Sequence, residues 1–221
     1  MSLITLGCSL TAEMGVKEEL AELLNQDMIN LAQSAGSNQL QIFRLHECLN
    51  KKLIKSDDII YWQLTSISRR YLRISFENIL EVNQVQEKNF KFPLRHYVES
   101  QENIFDNKKR IDLFCNSPMI SRKFDEEQIL QELVATLILI KSYCPKTIVV
   151  FGWNRIMPLD YMLKFKNILT DNSIDYIKQT YLEYAYHNNL EMDDHNHPAP
   201  SAGIKFANEV VYPKLIELQW V

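Results

Sequence analysis

The 221-residue sequence predicts an α/β protein, a three-layer sandwich around a mostly parallel sheet of about five strands. Three observations carry that expectation. Short apolar runs alternate along the chain with segments of helical periodicity, the pattern of a parallel sheet covered on both faces. The first apolar run stops at a glycine and passes at once to a serine and a helical pattern, the strand–turn–helix entry at which such folds place their ligands. The length, with 46% hydrophobic and 24% charged residues, suits one domain with a sizeable core.

Taken in order, Leu3-Ile4-Thr5-Leu6 is the first strand and Gly7 ends it. Val16, Leu20, Leu23 and Leu24 then mark a helix over 16–25. Strand two is expected over 27–32 and runs into a polar loop of small residues, 33–38. A helix over about 40–53 leads to strand three at 58–64. A strongly apolar helix over 126–143 ends before Pro145, and Thr147-Ile148-Val149-Val150-Phe151 forms strand four, stopping at Gly152-Trp153-Asn154. Residues 159–169 read as helical, 175–177 as a short fifth strand, and 201–218 as a closing helix bent at Pro213. Between about 70 and 125 the pattern is long and irregular, an insert within a single domain spanning 1–221. Since the insert leaves the carboxyl end of strand three, it is expected to overhang the site and select substrate, with Arg69, Arg70 and Arg73 at its root.

Composition excludes several classes. A net charge of −4 gives no electrostatic case for nucleic acid. The longest apolar stretch, about 133–140, is too short to span a bilayer, and no leader pattern is visible, so the protein is expected to be cytoplasmic. The four cysteines (Cys8, Cys48, Cys115 and Cys144) contain no Cys-x-x-Cys, which argues against a disulfide framework or a zinc ribbon. Cys48 and Cys144 read as core residues. Cys8, beside Ser9 at a helix start, fits either a small buried residue or a reactive thiol.

Two stretches carry candidate chemistry. In Gly7-Cys8-Ser9-Leu10 the serine falls at the carboxyl edge of the sheet, where its hydroxyl is either a nucleophile or a helix cap. In Asp193-Asp194-His195-Asn196-His197-Pro198, just before the closing helix, carboxylates and imidazoles fit an acid–base pair, a metal cluster or a helix entry. A metal is disfavoured because His46, His96 and His187 are scattered and supply no second cluster.

Together these ends resemble the SGNH (GDSL) hydrolase family, which opens with Gly-Asp-Ser-Leu after its first strand and closes with Asp-x-x-His before its last helix. The resemblance implies the flavodoxin-like fold of that family, with Ser9 as nucleophile, His197 as its base and Asp194 as the carboxylate that orients the imidazole. It covers 1–40 and 190–215 by motif and the middle only by element order. By position Gly36 corresponds to the family's oxyanion-hole glycine, and Asn38 is a further polar candidate beside it. The pattern departs in two places. Cys8 stands where the family has aspartate, and strand three ends Leu64-Thr65-Ser66 where the family has Gly-x-Asn-Asp. Thr65, Ser66 or Asn154, the last after strand four, can replace the lost side-chain donor, which is worth roughly 3 kcal/mol where it has been measured.

The function so implied is attack by Ser9 on an acyl ester, a carbohydrate O-acetyl group by analogy with family branches, with no cofactor and no metal. The partner expected is a small-molecule or glycan ester. Acyl transfer to a glycan hydroxyl, or a glycan-binding protein of the same fold that has lost catalysis, are the alternatives.

Overall fold

The computed structural model describes residues 1–33, 37–66, 69–70, 72–73, 79–80, 95–96, 126–153, 156–157, 159–192 and 197–221. Five strands form the central sheet: β1 (Ser2–Leu6), β2 (Asp27–Asn30), β3 (Ile59–Leu64), β4 (Thr147–Phe151) and β5 (Asp175–Ile177). Their order is β2-β1-β3-β4-β5, and every pairing is parallel. The chain therefore reverses its direction of growth between β1 and β3. In open parallel sheets the crevice at that switch point, outside the carboxyl ends of the strands, is where ligands bind.

The period of two along each strand divides the core. Ile4, Leu6, Ile60, Trp62, Leu64, Val149 and Phe151 face one side. There they meet α3 (Asn38–Asn50), α4 (Glu126–Tyr143) and α5 (Leu159–Asp171) through Leu45, Leu133, Leu137, Ile140, Phe165 and Leu169. Leu3, Ile59, Tyr61, Ile148 and Val150 face the other side. They pack on α2 (Val16–Leu24), α6 (Tyr181–His187), α7 (Pro200–Phe206) and α8 (Tyr212–Glu217) through Leu20, Tyr181, Phe206 and Leu215. Strands buried on both faces explain why their sequences read as continuous apolar runs.

Several boundaries differ from the sequence expectation, each for a local reason. Helix α3 starts at Asn38 and not near 40, because Ser37 caps it by accepting from the Leu40 N–H at 3.1 Å. It ends at Asn50. Strand β2 is assigned only to Asn30, whose side-chain carbonyl accepts from the Ala32 N–H at 3.0 Å, although the Leu31 and Gln33 N–H groups still donate to the Thr5 and Gly7 carbonyls. Two helices were not expected. A four-residue turn, α1 (Ser9–Ala12), begins at the serine itself, and α6 is set by a capping box in which Thr180 and Glu183 satisfy each other's backbone N–H groups. The closing helical run is not a uniform α-helix around Pro213. A π-helical stretch, Ala207–Val211, precedes it, and the wider turn absorbs the proline that an α-helix would exclude.

The insert at about 70–125 lies outside the described residues except for two short pairings, Arg69–Arg70 with Arg95–His96 and Leu72–Arg73 with Ile79–Leu80. Among the described residues no helix is long and apolar enough to cross a membrane.

Candidate active site

The two ends of the chain meet at the carboxyl edge of the sheet. Gly203 in α7 is what lets them do so: a Cβ there would stand 1.6 Å from the carbonyl oxygen of Met14, in the turn that follows α1. Only a glycine allows the closing helix to settle on that turn, and its settling brings the residues before α7 over those of α1. Pro200 is at the start of α7, where a proline lacks nothing the helix needs. The segment before it is tied down by backbone pairing. Met192 and Pro198 bridge, and the Ala199 N–H donates to the Glu191 carbonyl at 2.8 Å.

Ser9 Oγ consequently lies 3.3 Å from His197 Nε2. With the imidazole proton on Nδ1, the serine hydroxyl is the donor and Nε2 the acceptor, the arrangement in which a base can take the serine proton. Ser9 is 4% exposed and His197 is half-buried, so solvent reaches the pair mainly at the imidazole. Ser9 is the first residue of α1, in which the Thr11 and Ala12 N–H groups already donate to the Cys8 carbonyl at 3.0 and 2.9 Å, leaving the Ser9 and Leu10 N–H groups as the ones that open the turn.

Around this pair the structure places further groups. Trp153, directly after β4, lays its ring against the imidazole with centroids 5.6 Å apart and planes tilted by 60°. Its indole N–H is buried with no partner among the described residues. Asn38 is buried, and both ends of its amide are engaged by one residue: Nδ2 donates to the Thr65 carbonyl at 2.9 Å and Oδ1 accepts from the Thr65 N–H at 3.0 Å. This clamp ties the start of α3 to the end of β3, so Asn38 braces the crevice wall. Thr65 is fully buried, with no partner for its hydroxyl among the described residues, and Ser66 beside it is half-buried. Cys8 is fully buried, the first of the two settings its sequence allowed. Beneath the turn, Tyr61 and Tyr181 are held neutral, their hydroxyls pushed above the ordinary tyrosine range chiefly by burial.

Gly36, Asn154 and Asp194 lie outside the described residues. Among the described residues no group of three or more His, Cys, Asp or Glu could hold a metal ion. The sequence reading missed Trp153, although it sits inside the Gly152-Trp153-Asn154 stretch that the reading singled out. It also missed Gln63, whose signal is a lone amide in the otherwise apolar strand Ile59–Leu64.

No protein-family model matches the sequence, and no curated protein is similar to it in sequence. The fold does have solved counterparts. The psychrotrophic esterase EstA from a Pseudoalteromonas species, in a structure inhibited by monoethylphosphonate, superposes with a TM-score of 0.55 at 14% identity, covering 99% of this chain and 98% of that one. A lipolytic protein of the G-D-S-L family from Veillonella parvula gives 0.54 at 12% identity over 99% and 97%. A catalytic mutant of the acetylxylan esterase Axe2 from Geobacillus stearothermophilus gives 0.54 at 12% over 100% and 95%. The fold is that of the GDSL esterases along nearly the whole chain.

Proposed function

We propose that this protein is a serine-dependent esterase that cleaves an acyl ester through an acyl-enzyme, with carbohydrate O-acetyl esters as its substrate class. The observation that carries the reading is the 3.3 Å approach of Ser9 Oγ to His197 Nε2 at the switch-point crevice, joining two motifs 188 residues apart. The shared fold of an acetylxylan esterase supports the substrate class.

In this reading His197 Nε2 takes the Ser9 proton as Oγ attacks the ester carbonyl carbon. The resulting oxyanion is met by the N–H groups of Ser9 and Gly36, with Ser66 or Asn154 as side-chain donor in place of the family asparagine. The C–O bond to the alcohol breaks, and the alcohol departs with the proton from His197. Water, deprotonated by His197, then attacks the acyl-enzyme, and the carboxylic acid leaves with Ser9 restored. Asp194, three residues before the base, holds the imidazole in the tautomer that leaves Nε2 free to accept. Trp153 walls the imidazole, and Asn38 keeps the crevice in shape through Thr65.

Turnover of 4-nitrophenyl acetate and of acetylated xylo-oligosaccharides tests the proposal. Ser9→Ala should lower kcat by about 10⁴-fold or more, and Asp194→Asn by about 10⁴-fold, with melting temperatures near that of the unmodified protein. Hydrolysis that survives Ser9→Ala would overturn it.

A further inference from the structure

Gln63 is the one polar side chain of β3, and it is fully buried beneath the turn that carries Ser9. It fills a slot between the ends of the two neighbouring strands. A Cβ at Gly7, after β1, would meet Gln63 Cβ at 3.2 Å, and one at Gly152, after β4, would meet Gln63 Cδ at 3.2 Å. The side-chain carbonyl Oε1 accepts from Thr11 Oγ1 at 2.8 Å and faces Cys8 Sγ at 3.9 Å. Cys8 and Thr11 bracket Ser9 in the chain, one before it and one two residues after. The approach is close enough that a Cβ on Gly7 would stand 2.2 Å from Thr11 Oγ1.

The other end of the amide lies against the Tyr61 hydroxyl, close enough to favour its ionised form slightly. Among the described residues neither Gln63 Nε2 nor that hydroxyl has a partner at full hydrogen-bond geometry. A methionine of the same length would fill the slot without an amide N–H of its own. What glutamine supplies and methionine cannot is the acceptor for Thr11 and Cys8.

We infer that Gln63 is a positioning residue for Ser9, fixing the turn on both sides of the nucleophile so that Oγ stays within reach of His197. It touches no reacting atom and acts only through Thr11 and Cys8. The inference rests on the esterase reading for its kinetic consequence, but not for its geometric one.

The test uses Gln63→Met and Thr11→Val, which each remove the hydrogen bond at nearly constant volume. Each should lower kcat on an acetyl ester by about 10- to 100-fold, as expected when a nucleophile is displaced by roughly an ångström, while KM changes less than about twofold. The double variant should be no slower than the worse single, since both remove the same contact. Crystal structures of both variants should show Ser9 Oγ drawn away from His197 Nε2, beyond hydrogen-bond distance. Should Gln63→Met not fold, Thr11→Val carries both readouts alone. An unchanged kcat with a lowered melting temperature would assign the contact to packing and overturn the inference. If the unmodified protein turns over no ester, the esterase reading fails by itself, and the Ser9–His197 distance in the variants still decides this one.

Discussion

The two edges of the central sheet treat their polar groups in opposite ways. At the amino edge the buried or half-buried polar atoms are paired. Asp58, 1% exposed, accepts from the Ser2 N–H at 2.6 Å and the Lys55 N–H at 2.8 Å. Thr147 Oγ1 donates to the Cys144 carbonyl at 2.7 Å, and Cys144 Sγ to the Lys55 carbonyl at 3.0 Å. Lys141 joins the Pro145 carbonyl and Asp175. At the carboxyl edge Gln63 Nε2, the Thr65 hydroxyl and the Trp153 indole N–H, all at or just beyond strand ends, are buried without partners among the described residues. Unpaired buried groups cost stability wherever they lie, and others occur at Gln41, Tyr61, Trp62 and Tyr181; the three at the strand ends fall where the fold trades stability for a site. The amino edge holds the sheet together; the carboxyl edge is built for chemistry.

That contrast can be broken by mutation, and the largest effect on stability should come from the amino edge. Asp58→Ala leaves two backbone N–H groups without their acceptor and should lower the unfolding free energy by about 3 kcal/mol. Ester turnover per folded molecule should stay unchanged, which urea unfolding and active-site titration would check together. At the carboxyl edge the balance reverses. Trp153→Ala removes the ring against His197 and should lower turnover about tenfold, the scale of one aromatic pair, with Trp153→Phe retaining most of it.

The smallest effect expected concerns pH. Burial, and then the Asp58 and Asp57 charges, push the Cys144 thiol up from 9.0 to about 11. The unfolded chain thus ionises Cys144 near its ordinary value while the fold still holds it neutral. Its contribution to stability is complete below about pH 9 and lost as the pH rises toward 11. Urea midpoints measured across that window should fall, and Cys144→Ala should flatten the decline without moving turnover.

The sequence foretold much of the element order because strands buried on both faces and helices with one apolar face leave separate periodicities. It also held Ser9 and His197, whose motifs are local. Gly203 was not legible, since its need arises from Met14, 189 residues away in the chain. Gln63 and Trp153 escaped for a related reason. Each acts through neighbours on other segments of the chain, and no spacing along one segment records a contact with another. The capping box at Thr180 and Glu183 is a local signal three residues long, yet α6 went unread because the seven residues it opens carry too short an apolar pattern to mark a helix.

The central claim is that Ser9 is an activated nucleophile and His197 the base that activates it. A fluorophosphonate probe tests this without knowledge of the substrate, by peptide mass spectrometry on the unmodified protein and on His197→Ala. The account predicts one phosphonyl adduct, on Ser9, formed rapidly in the unmodified protein and lost in His197→Ala. An unmodified protein that stays unlabelled at Ser9, or labelling that proceeds equally in His197→Ala, would contradict it.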